Sequence, residues 1–127
     1  MELVLTARGT RITEQFRAAT QHMLAHLERI EPRLARLEIE VISEKNPRQG
    51  GLHRVQALAA TPREHFRAHA EAREAGSALD VVTERLERQI RDHHERRYAH
   101  RKARAARVES ARVQASDSDE EDVEDTE

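Results

Sequence analysis

The chain has 127 residues, with 22 Lys or Arg, 24 Asp or Glu and no cysteine. This length allows one modest hydrophobic core, and the absence of thiols excludes disulfide frameworks and thiolate metal sites. No apolar run approaches the ~20 residues of a membrane span, and no basic lead-in marks a signal peptide. We therefore expect a soluble, cytoplasmic protein without a membrane partner.

Acidic residues are concentrated at one end of the sequence. Residues 116–127 hold eight carboxylates and no base, which leaves residues 1–115 with 22 Lys or Arg against 16 Asp or Glu, a charge of +6. Like-charge runs bury too little apolar surface to offset chain entropy, so a disordered acidic tail is predicted over 116–127. The tail either keeps the protein in solution or folds back over the basic surface and competes with its partner.

The first elements are a strand and a helix. Leu3 and Leu5 alternate with their neighbours and predict a strand over 2–6. Thr13 stands at the N-cap position of the helix, and Pro32 ends it. At about 100° per residue, the apolar side chains of this helix fall within an arc of roughly 120°; they are Phe16, Thr20, Met23, Leu24, Leu27 and Ile30.

Three further strands follow, because apolar and polar residues alternate over 37–43, 52–60 and 65–73. Pro47 and Gly50-Gly51 predict a hairpin between the first two of these strands. The segment lacks the Gly-Lys-Ser/Thr ending that a phosphate-binding loop requires. TPRE forms the next turn.

The second helix has an apolar side that stops partway along it. Ser77 and Asp80 resemble a capping box at its start. Its apolar side consists of Leu79, Val82, Leu86 and Ile90. The same spacing then reaches Arg97, Arg101 and Arg104, so the helix is predicted to leave the domain as a basic extension over 98–115.

These elements predict an α+β fold in the order β-α-β-β-β-α. One four-stranded sheet carries both helices packed on one face, followed by the extended basic second helix and the disordered acidic tail.

The spacing of the residues supports neither a metal site nor a catalytic site. No carboxylate or third histidine stands at ligand spacing with the histidine pairs, and HExxH is absent. Before the tail the only aspartates are Asp80 and Asp92, and no carboxylate pair or nucleophile elbow is present. We expect no enzyme activity, no cofactor and no metal. The histidine pairs considered are His22 and His26, His65 and His69, and His93 and His94.

The cations of the second helix indicate a polyanionic partner. Arginine outnumbers lysine heavily, and its planar fork suits phosphate bidentately. The alternative, that local carboxylates simply neutralise these cations, leaves a surplus of positive charge. The cations concerned are Arg85, Arg88, Arg91, Arg96 and Arg97, and the local carboxylates are Glu84, Glu87, Asp92 and Glu95.

The scarcity of aromatic residues indicates which kind of nucleic acid the protein is expected to bind. Phe16 and Phe66 are predicted to lie in the core, which leaves Tyr98 and no base-stacking platform. The pattern therefore favours backbone and shape recognition of structured RNA, with additional contacts from exposed strand residues. Those residues are Arg54, Arg67, His65 and His69.

Two segments resemble the ribosome hibernation-promoting and ribosome-associated inhibitor proteins of bacteria and plastids. RITEQFR (11–17) resembles the strand-to-helix segment of that family, and SALDVVTERLERQIRDHHER (77–96) resembles its second helix. The resemblance covers roughly residues 2–97. Departures are Gly76, where the family usually has an aromatic residue, Asp92 in place of a common lysine, and an acidic tail where long members carry a dimerisation domain.

The resemblance implies binding to the small ribosomal subunit and its rRNA, in the mRNA and tRNA channel, and inhibition of translation in idle ribosomes. Residues 1–97 would be the ribosome-binding domain of a protein that is a monomer off the ribosome. The alternative is an adaptor whose basic helix docks an acidic protein under control of the tail. Basic family positions that the resemblance assigns to rRNA phosphates are Arg85, Arg88, His94 and Arg96.

Overall fold

The structure, a computed structural model, describes residues 1–44 and 51–126, with side chains described for residues 1–43 and 51–111. Its elements confirm the predicted α+β order. They are β1 (Glu2–Arg8), α1 (Glu14–Ile30), β2 (Arg36–Glu44), β3 (Leu52–Ala60), β4 (His65–Ala72) and α2 (Ala75–Thr126). Pro47 and Gly50 of the predicted hairpin lie outside the described residues.

The four strands form one mixed sheet in the spatial order β1-β2-β3-β4. β1 is parallel to β2, with Leu3 opposite Leu37, and the remaining pairs are antiparallel. A parallel pair needs a long crossover, which α1 supplies between β1 and β2. β1 and β4 are therefore the edge strands, and α2 follows directly after one of them.

One face of the sheet carries the core. Alternate residues of β2, β3 and β4 are buried there, and they join the apolar sides of α1 and α2 in a single cluster. This arrangement confirms the prediction that both helices pack on one face. The buried helix residues are Phe16, Thr20, Met23 and Leu27 from α1, and Ala78, Leu79, Val82, Leu86 and Ile90 from α2.

The sequence predicted the start of α1 correctly and the start of α2 incorrectly. Thr13 caps α1 as expected, because its hydroxyl oxygen accepts a 3.0 Å hydrogen bond from the Phe16 amide. The capping box at Ser77 is wrong, since α2 begins at Ala75 and the Ala78 amide already donates to the Glu74 carbonyl. A helix capped by Ser77 would begin at Ala78, whereas the two-residue link after β4 lets α2 begin three residues earlier.

The chain divides into two compact units, Met1–Arg91 and Asp92–Glu127. Within the second unit the helical backbone continues through Thr126, into the acidic segment for which composition predicted disorder. No Gly or Pro follows Gly76 to interrupt it. The proposed division at residues 97 and 115 stays a prediction.

None of the described helices combines the length and the apolar character needed to cross a bilayer.

Candidate nucleic-acid interface

The first unit fixes the rotation of α2 by burying its apolar side. Leu86 and Ile90 are fully buried and Leu79 is 2% exposed, so residues on the opposite side of the helix must face away from the core. Arg85, Arg88 and Arg91 follow one another at intervals of three, each about 60° further round the helix. They fan out across its outer surface.

Arg85 and Gln89 attach one flank of α2 to the edge of the sheet. Arg85 Nη1 donates a 2.5 Å hydrogen bond to the His69 carbonyl, and Gln89 Nε2 donates a 2.7 Å bond to the Arg67 carbonyl. Because β4 is an edge strand, it has backbone groups that no neighbouring strand pairs. Arg85 therefore has a structural partner as well as the predicted RNA-binding role, and Gln89 was missed because its only sequence signal is its position four residues after Arg85.

Glu87 joins the other flank of α2 to α1. Its Oε2 lies 3.0 Å from His26 Nε2, and its Oε1 accepts from Arg91 Nε and Nη2 at 3.0 and 2.9 Å. The bond with His26, followed by that with Arg91, lowers the pKa of the Glu87 carboxyl. Arg91 therefore already has an anionic partner, which a phosphate would have to share.

Arg88 is the exposed cation at the centre of the fan. Within the described side chains it forms no ion pair or hydrogen bond. Its guanidinium thus keeps all five donors available on a helix whose rotation is fixed by buried residues. Of the predicted residues in the first unit, it is the most favourably placed for an external phosphate.

Arg54 and Arg67 lie on the open face of the sheet, away from the core. They line a shallow depression of about 470 Å³ together with His69, Glu38 and Glu40. Arg54 is half-buried, and its Nε atom is buried without a hydrogen-bond partner among the described residues.

The acidic strand residues on this open face are themselves paired. Arg8 Nε lies 2.9 Å from Glu40, and Arg36 Nη2 lies 2.6 Å from Glu38. This pairing makes the open face balanced in charge rather than uniformly basic, so the structure does not bring Arg54 and Arg67 together with the α2 cations as one basic surface.

His94, Arg96 and Arg97 belong to the second unit. Arg96 is exposed, whereas His94 and Arg97 are half-buried. Neither arginine forms an ion pair among the described side chains, although Asp92 and Glu95 lie close in sequence. Local carboxylates therefore neutralise Arg91 through Glu87 but leave these two cations unpaired.

No three His, Asp or Glu side chains in the described part of the chain are grouped closely enough to hold a metal ion.

Comparison with known proteins gives a family and a fold. The model of the family described as sigma 54 modulation protein / S30EA ribosomal protein matches residues 3–98. The fold is similar to that of a ribosomal subunit interface protein from Coxiella burnetii, at 20% identity and a TM-score of 0.66, over 75% of this chain and 99% of that chain. The N-terminal domain of Thermus thermophilus Protein Y is also similar, at 24% identity and a TM-score of 0.56, over 71% and 96% of the respective chains. None of the curated proteins compared with the sequence matches it.

Proposed function

Because the chain belongs to the sigma 54 modulation protein / S30EA ribosomal protein family of ribosome hibernation factors, we propose that it binds the small ribosomal subunit in the mRNA and tRNA channel. Occupation of that channel would exclude mRNA and tRNA, so translation is inhibited and idle ribosomes are stabilised. The protein acts in the cytoplasm, by binding rather than by catalysis, and is a monomer off the ribosome.

One observation carries this proposal: the outer surface of α2 presents arginine on a helix held rigidly by its buried side. Arg88 is exposed and has no partner among the described residues, and Arg85 has donors left over beyond its bond to the His69 carbonyl. Guanidinium forks bind phosphate oxygens bidentately, and a fixed array of them loses little side-chain freedom on binding.

The contacts proposed are to rRNA backbone and not to bases. Tyr98 is 69% exposed, whereas Phe16 and Phe66 are buried in the core. Proteins that read single-stranded bases need several exposed aromatic rings. Phosphate contacts position a protein on folded RNA through its shape, which suits a fixed site on a ribosomal subunit.

A charge reversal at Arg88 tests this surface. Arg88→Glu should weaken binding to purified small subunits and lower the slope of log K against log salt by about one, since one phosphate contact is lost. Arg17→Glu is the matched control, because Arg17 is exposed on the first turn of α1 and its side chain has no partner among the described residues. Binding of Arg88→Glu that equals that of Arg17→Glu would reject the α2 surface.

The double variant Arg85→Glu with Arg88→Glu should abolish binding. Arg85 also supports β4, so circular dichroism must show that the double variant keeps its fold. A folded double variant that still binds small subunits like the unaltered protein would contradict the proposed site.

A further inference from the structure

The second unit contains a run of cations, most of which lie beyond the family match. Residues 96–108 hold six Lys or Arg, one histidine and no Asp or Glu, whereas the family model ends at residue 98. The run is helical throughout, as part of α2. We call residues 96–107 the cationic arm.

Most of these cations share one side of the helix. At about 100° per residue they fall within an arc of roughly 140°, and they are Arg96, Arg97, His100, Arg101, Arg104 and Arg107. The opposite side carries mainly alanine. From Arg97 to Arg107 the stripe rises about 15 Å along the helix axis, so it presents one cation or more at every turn.

The described side chains do not neutralise the stripe. Among the described side chains, the stripe has a single hydrogen bond, of 3.4 Å, which Arg107 Nε donates to the Ala103 carbonyl. Arg96, Arg101, Arg104 and Arg107 are exposed. Like charges three or four residues apart on a helix repel one another. An external polyanion would relieve this repulsion.

We propose that the cationic arm is a second RNA-binding surface, which lies along the phosphate backbone of double-helical rRNA. This inference rests on the proposed function and adds to it a contact that lies mostly beyond the family-matched residues. The stripe has no aromatic ring with which to stack bases, because Tyr98 lies outside its arc, so phosphates are the groups it fits.

A membrane and a protein partner fit the arm less well. Interfacial membrane helices carry a broad apolar face with Trp, Phe or Leu, whereas the large apolar residues exposed in the arm and directly after it are Tyr98 and Val108. Protein interfaces depend on buried apolar or aromatic anchors, and alanine provides little of that surface.

A rearranged arm tests whether the stripe itself matters. In the variant Ala99→Arg, Arg101→Ala, Arg104→Ala, Ala106→Arg, composition and net charge are unchanged, but two cations move roughly 130–150° from the centre of the stripe. Ala and Arg are both strong helix formers, so helicity should be unchanged. For binding to small subunits and to a short RNA duplex, the slope of log K against log salt should fall by about two.

Removing charge gives the second comparison. Arg101→Gln with Arg104→Gln and Arg107→Gln should lower the salt slope by about three, whereas Lys102→Gln, on the opposite side of the helix, should leave it unchanged. Equal binding by the rearranged variant and the unaltered protein would contradict a role for the stripe in RNA binding. Equal salt slopes for the triple variant and Lys102→Gln would contradict it too. If the unaltered protein binds phosphatidylserine vesicles as tightly as it binds the RNA duplex, the proposal that RNA is the partner of the arm is wrong.

The two proposals fail in different ways. If the unaltered protein binds the RNA duplex but not small subunits, the proposed function is wrong and the arm remains an RNA-binding surface. If the unaltered protein binds small subunits and the arm variants bind them equally, the arm inference is wrong and the Arg88 surface stands.

Discussion

The part of α2 in the first unit and the part in the second unit use arginine differently. In the first unit Arg85 donates to a strand carbonyl and Arg91 pairs with Glu87, while Leu86 and Ile90 are fully buried. In the second unit Arg101 and Arg104 are exposed and unpaired among the described side chains, and Val108 is 44% exposed. The part of α2 in the first unit thus packs against the core, whereas the part in the second unit carries exposed cations without partners among the described side chains.

The number of arginines alone therefore does not identify a binding surface. A guanidinium that already has a carbonyl or carboxylate partner must share or exchange it to bind phosphate, whereas an unpaired one need only lose water. Under the proposed function, we therefore expect Arg88 and the cationic arm to contribute more of the RNA affinity than Arg85 and Arg91.

The largest effect should come from the apolar residues of the two segments. Leu86→Ala should lower the free energy of unfolding by about 2–5 kcal/mol, because it leaves a cavity in the core. Val108→Ala should change it by less than about 0.5 kcal/mol, because Val108 is already largely in water. Urea denaturation of both variants measures this contrast, and similar losses would show that the second unit also packs against a core.

An intermediate effect should separate Arg85 from Arg88. Arg85→Ala should cost about 1 kcal/mol of folding free energy, since the β4 carbonyl loses its donor, whereas Arg88→Ala should cost less than about 0.5 kcal/mol. Chemical denaturation gives the two values. A loss from Arg88→Ala as large as that from Arg85→Ala would mean that Arg88 has a structural partner too.

The smallest effect should come from the Glu87 cluster and depends on pH. Because His26 and Arg91 lower the pKa of Glu87 in the folded protein, the cluster stabilises the fold above the carboxyl's ordinary pKa and loses that contribution as pH falls through the lowered value. Glu87→Gln should therefore cost about 0.5 kcal/mol near neutral pH and progressively less as the pH falls through the acid range. Urea denaturation across this pH range measures the change, and a cost of Glu87→Gln that does not fall with pH would contradict the cluster.

Most of the fold could be predicted from the sequence because periodicity and turn residues are local signals. Alternation located β2, β3 and β4, and Thr13 marked the start of α1. The start of α2 was misplaced because Ser77 and Asp80 imitate a cap, while the tight link from β4, which the sequence does not reveal, sets the actual boundary at Ala75.

The site could be predicted only in part. Spacing identified which arginines face outward and placed Glu87 one turn from Arg91. It could not show the partners that come from elsewhere in the chain. His69, which accepts from Arg85, lies sixteen residues away, and His26, which contacts Glu87, lies sixty-one residues away. Pairing of Glu40 with Arg8 of the neighbouring strand was equally invisible in the sequence, whereas Arg36 and Glu38 lie two residues apart on β2.

Binding to the small ribosomal subunit is tested most directly by sedimentation of the unaltered protein with purified subunits through a gradient. The protein should travel with the subunits at about 50 mM salt and dissociate from them steeply towards about 200 mM, because several phosphate contacts release counterions. A protein that stays at the top of the gradient at the lower salt concentration would contradict ribosome binding through these arginines.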